Sequence, residues 1–338
     1  MNVFQENGYL DFEKLYNDPS PFIFCVGARG TGKTFGSLQF CYQKGLKFIY
    51  LRSKDNVVKK LSNEMMNPFK PVNEELGIEV ELNNKKTGGV PVFQERVEDQ
   101  IKVIGYMMPL STFANFRGFD LSDIDVIIYD EFIPEAGERP VKDQAATLFN
   151  MYETVNRNRE LKGSAPVKLI CLSNSNTIFN DIFLSLKLTR KVYSMMVKGQ
   201  LYYRDIPRGI SLFNIQHSPI SQKKKETALY KLTIGSDFQE MALENRYSIQ
   251  YENLIKSQNI QHYKPVVIVG ETCIYRNDQD LYYMTTFKKG VFPAIFSMAE
   301  NDLIKFRHDH YSIWKAFLSN RLYFEDIYCL EVFNLIYF

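Results

Sequence analysis

This 338-residue chain has few cysteines (5) and few histidines (4), and its formal net charge is only +2. The cysteines show neither a CxxC spacing nor an even count, so we predict reduced thiols, not a disulfide framework or a zinc site. They are Cys25, Cys41, Cys171, Cys273 and Cys329. Because 41 basic residues nearly balance 39 acidic ones, any surface for a polyanion must come from local clustering.

Long apolar stretches are also missing. No run approaches the roughly 18 residues that a bilayer-spanning helix needs, so no membrane partner is expected. The first residues, Met-Asn-Val-Phe-Gln-Glu-Asn, lack a basic segment followed by an apolar one. We therefore predict that no signal peptide is present and that the protein acts inside a cell.

The composition is globular, with 45% hydrophobic and 24% charged residues. At about 100–200 residues per domain, the length suggests two domains. Apolar strand-like runs alternate with helical stretches over 21–190, which indicates an open α/β sheet, and 77–108 indicates a β insertion. The alternation then stops, so we predict a domain at 1–195, a linker at 196–228 and a second α/β domain at 229–338.

The first apolar run leads into a glycine-rich loop that fits the pattern G-x-x-x-x-G-K-[ST] at every position. Glycines let the backbone turn with its amides inward, lysine supplies charge to the β- and γ-phosphates, and the final hydroxyl binds Mg²⁺. The alternative is a glycine-rich turn that binds no ligand. The strand predicted before the loop and the helix predicted after it argue against this alternative. The predicted ATP–Mg²⁺ site comprises Gly27, Ala28, Arg29, Gly30, Thr31, Gly32, Lys33 and Thr34.

About a hundred residues later, another apolar run ends in two carboxylates, Asp130 and Glu131. Ligands bind at the carboxyl ends of strands in open α/β sheets, so Asp130 is predicted to hold Mg²⁺ through its water shell. Glu131 is placed to polarise an attacking water as general base. Two solvated acids at a strand end are the alternative.

Further candidates come from a third apolar run and from two arginines. Ser173 and Asn174 follow that run and are candidates to sense the γ-phosphate, although a helix-capping turn explains them equally well. Arg157, at a predicted helix end, and Arg117, in a glycine-containing loop, are candidates for an arginine finger. A solvated or helix-capping arginine stays open for both.

Lysine runs provide candidates for gripping a nucleic-acid backbone. They are Lys54, Lys59, Lys60 and Lys223 to Lys225, for which a solvated face is the alternative.

Five short motifs occur together in one order: the loop 27–34, Met108-Pro109-Leu110-Ser111, Asp130-Glu131-Phe132-Ile133, Asn156-Arg157-Asn158-Arg159-Glu160 and Cys171-Leu172-Ser173-Asn174. This set resembles the DNA encapsidation proteins, the packaging ATPases of small podophages with protein-primed linear genomes. The resemblance covers roughly residues 20–185, whereas the C-terminal third matches in size and pattern more than in letters.

The resemblance implies an additional-strand, catalytic-glutamate P-loop ATPase related to terminase motors. Such proteins form a homomeric ring, usually a pentamer, at the portal and drive double-stranded DNA into a prohead in the host cytoplasm. Some members dock through a packaging RNA, and the sequence leaves open whether this chain does. By motif position, Arg29 would be the loop arginine, Arg157 the finger given to the neighbouring subunit and Arg117 a second trans-acting residue. Ser173 and Asn174 would couple hydrolysis to movement.

The resemblance also implies a C-terminal domain with a ribonuclease H-like fold that has lost its metal-binding acids. Within it we predict strands over 266–286 and helices at 299–306 and 311–319, after a helical segment at 236–257. Glu271 stands where an active nuclease presents aspartate, and Asp278 and Asp280 fall in a turn. Because a two-metal site needs convergent carboxylates, we expect no nuclease activity.

Three other functions stay open. Another P-loop translocase or helicase would use the same site chemistry. A nucleotide-regulated scaffold and a small-molecule kinase have less need of a base such as Glu131.

Overall fold

The computed structural model describes residues 3–61, 67–83, 90–98, 100–116, 118, 120–134, 141–174, 180–216, 218–236 and 252–337. The chain forms two compact units, Met1–Tyr247 and Ser248–Phe338, each of which is described by itself. No helix in these ranges has the length and apolarity needed to cross a membrane.

One nine-stranded sheet forms the frame of the first unit. Its strands are β1 (Phe22–Gly27), β2 (Phe48–Arg52), β3 (Val80–Asn83), β4 (Val92–Val97), β5 (Gln100–Pro109), β6 (Val126–Asp130), β7 (Lys168–Ser173), β8 (Tyr202–Asp205) and β9 (Ile210–Ile215). The helices in its described part are α1 (Phe12–Tyr16), α2 (Lys33–Gln43), α3 (Asp55–Leu61), α4 (Lys70–Leu76), α5 (Gln144–Asn156), α6 (Asp181–Ser185), α7 (Thr189–Val197), α8 (Pro219–Lys224) and α9 (Ala228–Leu232).

The strand order β3-β4-β5-β2-β6-β7-β1-β9-β8 explains how the predicted site is assembled. The six central strands run parallel to one another, in the order β5-β2-β6-β7-β1-β9. Between β1, which leads into the phosphate loop, and β6, which ends in Asp130, lies the additional strand β7, as the resemblance implies. Parallel strands end at one edge, so Gly27, Asp130 and Ser173 all lie at the carboxyl edge of the sheet.

The predicted β insertion is confirmed, since β3, β4 and β5 pair in antiparallel fashion at one side of the sheet. Phe93 of β4 packs against Phe48 and Phe69, with ring centroids 5.5 and 5.2 Å away. All three are buried in one cluster with the residues of the parallel strands. The insertion therefore shares the core of the main sheet.

The predicted linker at 196–228 is wrong, because this stretch supplies β8 and β9. Strand β9 is buried throughout and pairs with β1, so the first unit continues well beyond residue 195. Polar residues inside β9 hid the strand in the sequence. They are tolerated because the sheet satisfies them: Ser211 Oγ, for example, donates to Asp18 Oδ1 at 2.7 Å.

The second unit contains a five-stranded sheet in the order β13-β10-β11-β12-β14. The strands are β10 (Tyr263–Val269), β11 (Thr272–Asn277), β12 (Tyr282–Thr285), β13 (Ile295–Phe296) and β14 (Leu322–Phe324). Strands β10 to β12 are antiparallel, whereas β13 and β14 run parallel to their neighbours β10 and β12. The helices of its described part are α10 (Glu300–Asp309), α11 (Tyr311–Leu318) and α12 (Ile327–Tyr337).

The predicted strands within 266–286 and the helices α10 and α11 are confirmed, whereas most of the predicted helix at 236–257 lies outside the described residues. Helix α12 was not predicted, since its buried residues fall on most sides of the helix and leave no clear periodicity. It packs on α11, where Trp314 stacks on Tyr337 with ring centroids 4.8 Å apart.

Candidate nucleotide-binding site

The phosphate loop connects the end of β1 to the start of α2, and its glycines are required by the local geometry. Gly30 and Gly32 have φ angles of +65° and +82°, in the left-handed region that side chains disfavour. A Cβ atom on Gly27 would lie 2.5 Å from the backbone oxygen of Ile215 in β9. The loop therefore rests directly on the neighbouring strand, with the positive end of α2 directed into it.

Lys33 is almost fully buried and its ammonium group turns back into the loop. Nζ donates to the carbonyl oxygens of Ala28 and Gly27 at 2.7 and 3.3 Å and to Thr31 Oγ1 at 3.1 Å. Burial lowers the pKa of Lys33 to about 8, although the nearby Asp130 opposes this shift. A buried cation with only neutral oxygen partners is well placed to exchange them for phosphate oxygens.

Asp130 meets the end of the phosphate loop from the other side. Its Oδ2 accepts hydrogen bonds from Thr34 Oγ1 at 2.7 Å and from Tyr50 Oη at 2.6 Å, and Arg52 Nη1 lies 3.3 Å away. Burial, together with the negative charge of Asp130, raises the pKa of Tyr50 well above its ordinary value, so its phenol stays a donor. Thr34 and Asp130, 96 residues apart in the sequence, are thus in direct contact.

The donor set suits Mg²⁺. This cation prefers oxygen ligands and is typically held by one or two carboxylates together with substrate phosphates, not by an all-protein cage. The hydroxyl of Thr34 and the carboxylate of Asp130 provide such a pair beside the loop. The described residues contain no group of three or more His, Cys, Asp or Glu side chains that could hold a metal ion.

Glu131 follows Asp130 at a φ angle of +55°, in the left-handed region that residues other than glycine rarely adopt. Its Oε2 forms an ion pair with Nη2 of Arg52, whose side chain is only 13% exposed. The same guanidinium therefore bridges both carboxylates. In this arrangement the carboxylate of Glu131 is held by Arg52.

Residues 6–330 match the family described as the podovirus DNA encapsidation protein (Gp16). The chain belongs to this family. Compared with the DNA packaging protein of Bacillus phage phi29, it is 26% identical over 243 residues, which cover 70% of this chain and 64% of that relative. The match therefore spans less than two thirds of the phi29 protein. The DNA packaging protein of Bacillus phage B103 is 24% identical over 335 residues, which cover 94% of each chain.

A solved structure of the bacteriophage Phi-29 viral genome packaging motor assembly has the same fold. It superposes with a TM-score of 0.65 and 21% identity, and covers 99% of this chain and 100% of that one. The α/β fold class predicted from the sequence is thus confirmed.

In this family member, Arg157 lies far from the phosphate loop of its own chain. Helix α5 begins at the carboxyl edge of the sheet, where Gln144 Nε2 donates to the carbonyl oxygen of Phe132 at 2.6 Å. It ends at the amino edge, where Asn156 Oδ1 accepts from Val167 N at 2.8 Å. Its 13 residues span about 20 Å. Arg157, the next residue, is therefore at the edge opposite the phosphate loop and cannot contact a nucleotide bound there.

The remaining predicted site residues give a mixed picture. Ser173 lies at the correct edge, but its hydroxyl donates to the carbonyl oxygen of Ile133 at 3.4 Å. Asn174 follows it and is half-buried. Arg117 lies outside the described residues. The γ-phosphate and finger roles of these three residues therefore stay predictions.

Lys224, predicted to face nucleic acid, instead points into the site: its Nζ donates to the carbonyl oxygen of Arg29 at 3.0 Å. The neighbouring Lys223 is exposed and donates to the carbonyl oxygen of Asn7 at 3.2 Å. For Lys59 and Lys60, the side chains lie outside the described part of the chain. The DNA-gripping role predicted for Lys224 is therefore not supported by its position.

Sequence reasoning missed three site residues: Tyr50, Arg52 and Lys224. Tyr50 lies in the middle of β2 and Arg52 at its end, and β2 neighbours β6 in the sheet. Strand order across a sheet is not written in the order of strands along the chain. The only available signal was the polar end of an otherwise apolar strand.

Glu271, Asp278 and Asp280, the three acidic residues considered in the second unit, each contact a different side chain. Tyr328 Oη donates to Glu271 Oε2 at 3.2 Å. Asp278 pairs with Lys264 at 2.8 Å, and Asp280 accepts from Arg276 Nε at 2.9 Å. These contacts direct the three carboxylates to different partners. The expected lack of nuclease activity stays a prediction. DNA cleavage by the purified protein with Mn²⁺, if Glu271→Ala abolished it, would contradict this prediction.

Proposed function

We propose that this chain is an ATP-hydrolysing motor that drives double-stranded DNA into a prohead. The observation that carries the proposal is the contact of Thr34 Oγ1 with Asp130 Oδ2 at 2.7 Å beside the buried ammonium of Lys33. It joins the two halves of a phosphate and metal site in one chain. Membership of the DNA encapsidation family supports the use of this site for packaging.

Each residue has a distinct role in this proposal. The loop 27–34 and Lys33 bind the phosphates, and Thr34 and Asp130 hold Mg²⁺, which when bound neutralises charge that develops on the phosphates. Glu131 accepts a proton from the water that attacks the γ-phosphorus. To do so it must leave Arg52, so the ion pair seen here corresponds to a resting site.

The position of Arg157 supports a shared active site. Because it lies at the edge opposite its own phosphate loop, an arginine finger at this position serves the nucleotide of a neighbouring copy. This requires an assembly in which successive subunits meet at those two edges, as in a closed ring. We propose five subunits by resemblance to the family, acting at the portal of the prohead in the host cytoplasm. A packaging RNA is a further candidate partner.

The first experiment is an ATPase assay on the purified full chain with and without double-stranded DNA. We expect DNA-stimulated, Mg²⁺-dependent turnover. Lys33→Ala should abolish nucleotide binding, whereas Glu131→Gln should keep binding and lower turnover by about 10²–10⁴-fold, the usual contribution of a general base. Turnover that survives both substitutions would refute the proposed site.

A second experiment separates packaging from other translocation. Proheads and linear DNA are added, and DNA protected from nuclease is measured. A helicase would separate strands without any need for proheads, and a nucleotide-regulated scaffold would bind ATP without turnover. Protection that requires ATP and proheads, with no strand separation, is the result that packaging predicts.

A further inference from the structure

We propose that Lys224 is a second phosphate-binding lysine of the ATP site and contacts the terminal phosphate of the nucleotide. This inference rests on the proposed function, because it requires a triphosphate in the loop 27–34. It extends that function by assigning a role to the segment after β9.

The fold holds the start of α8 against the phosphate loop. Strand β9 pairs with β1 so that Ile215 lies beside Gly27, and the chain leaves the sheet at the edge where the loop lies. Ser218, the N-cap of α8, donates through its hydroxyl to the carbonyl oxygen of Gly8 at 3.2 Å. Gly8 belongs to the segment that precedes α1. That segment also contacts the phosphate loop, because Leu10 N donates to the carbonyl oxygen of Thr31 at 2.9 Å. Helix α8 is therefore held near the phosphate loop in two ways, through β9 and through the segment that precedes α1.

Lys224 occupies the space left by a glycine. A Cβ atom on Gly30 would lie 1.9 Å from Lys224 Nζ, so a side chain at position 30 would displace this ammonium. Nζ donates to the carbonyl oxygen of Arg29 at 3.0 Å, while Lys33 Nζ donates to that of Ala28 at 2.7 Å. The two ammonium groups thus bind adjacent carbonyls. Since the loop lysine reaches the β- and γ-phosphates, Lys224 lies at the same end, away from the nucleoside.

The charges around Lys224 favour an anion between the two lysines. The nearby carboxylates Asp130 and Glu131 act electrostatically on Lys33, but both form their ion pairs with Arg52 and not with either lysine. Within the described ranges, Lys224 forms no salt bridge, and its partial burial lowers its pKa. Two cations close together repel each other, and a terminal phosphate would satisfy both. Hydrogen bonds between ammonium and phosphate are also stronger than those to neutral carbonyls.

The test compares the affinity of the full chain for a fluorescent, non-hydrolysable ATP analogue with its affinity for fluorescent ADP, both with Mg²⁺. Lys224→Ala and Lys224→Gln remove the charge, and Lys224→Arg retains it. Lys223→Ala is the matched control, because it removes the same charge from the adjacent, exposed position of the same helix.

We expect Lys224→Ala and Lys224→Gln to weaken binding of the ATP analogue about tenfold, as for one lost charged hydrogen bond, and binding of ADP less than about twofold. Lys224→Arg should stay near wild type, and Lys223→Ala should change neither affinity. Unchanged affinity for the ATP analogue in both charge-removing variants would overturn the proposal. An equal loss for both nucleotides would also overturn it, since that result indicates support of the loop alone. A wild-type chain that binds neither nucleotide would instead refute the proposed function itself.

Discussion

Gly27→Ala is a direct test of how β9 supports the phosphate loop. The added Cβ atom would lie 2.4 Å from Ile215 Cγ1 and 2.5 Å from both the carbonyl carbon and the oxygen of that residue. A side-chain rotation can remove the first clash but not the other two, because backbone atoms are fixed by the pairing of β9 with β1. The strands must therefore separate, or the loop must shift.

Gly27→Ala is expected to lower the free energy of unfolding by a large amount for the addition of one methyl group. Overpacking typically costs 1–3 kcal/mol, and the backbone clash places this case near the top, at about 3 kcal/mol. Gly36→Ala in α2 is the matched control: its Cβ would meet only Leu10 O at 3.7 Å and Phe12 Cβ at 3.8 Å, which are ordinary contacts. There, alanine should stabilise the helix by up to about 1 kcal/mol.

Thermal unfolding of the full chain measures both effects. At roughly 2–4 °C per kcal/mol for a unit of this size, Gly27→Ala should lower the melting temperature of the first unit by about 6–12 °C. Gly36→Ala should raise it slightly. Below the transition, Gly27→Ala should also weaken binding of the ATP analogue, because the loop is displaced. A Gly27→Ala chain that melts with the wild type would show that β9 does not lie against the loop as described.

Three further predictions concern the site and the core. Mixing Arg157→Ala subunits into wild-type chain before assembly should reduce DNA-stimulated ATPase more than in proportion to the mutant fraction, because in the proposed ring each Arg157 would serve the site of its neighbour; a strictly proportional loss would contradict the shared site. Tyr50→Phe should lower the free energy of unfolding by about 1–3 kcal/mol, since it removes a donor 2.6 Å from the buried carboxylate of Asp130. Urea titration checks this, and an unchanged midpoint would refute the contact. All five thiols are buried, and burial raises the pKa of Cys25 to about 12, so Ellman's reagent should react only as the chain unfolds; rapid reaction of the native chain would contradict this burial.

The prediction of the fold succeeded where the signal is local and failed where it depends on distant partners. Strands such as β6, buried at every position, appear in the sequence as continuous apolar runs. Strand β9 is equally buried, yet Ser211 and Asn214 interrupt its apolar pattern and it was assigned to a linker. Those polar groups are tolerated only because remote residues such as Asp18 bind them.

The candidate site shows the same limit. The motifs identified the loop 27–34 and Asp130 because a phosphate loop requires particular residues at particular spacings. Arg52 and Lys224 belong to no such spacing. Their roles depend on which strands are neighbours in the sheet, and two lysines with similar surroundings in the sequence, Lys223 and Lys224, point to different places.

The sequence alone therefore predicted a triphosphate loop and a carboxylate pair at a strand end, and it indicated the family to which the chain belongs. Only the tertiary structure decided which side chains complete the site, because sheet order brings β2 beside β6 and β9 beside β1. It also decided that Arg157 lies at the opposite edge from its own loop, since a helix of 13 residues crosses the sheet between them. Sequence spacing specifies residues that lie within one continuous loop or turn. Residues on separate strands come together only when the whole sheet is assembled.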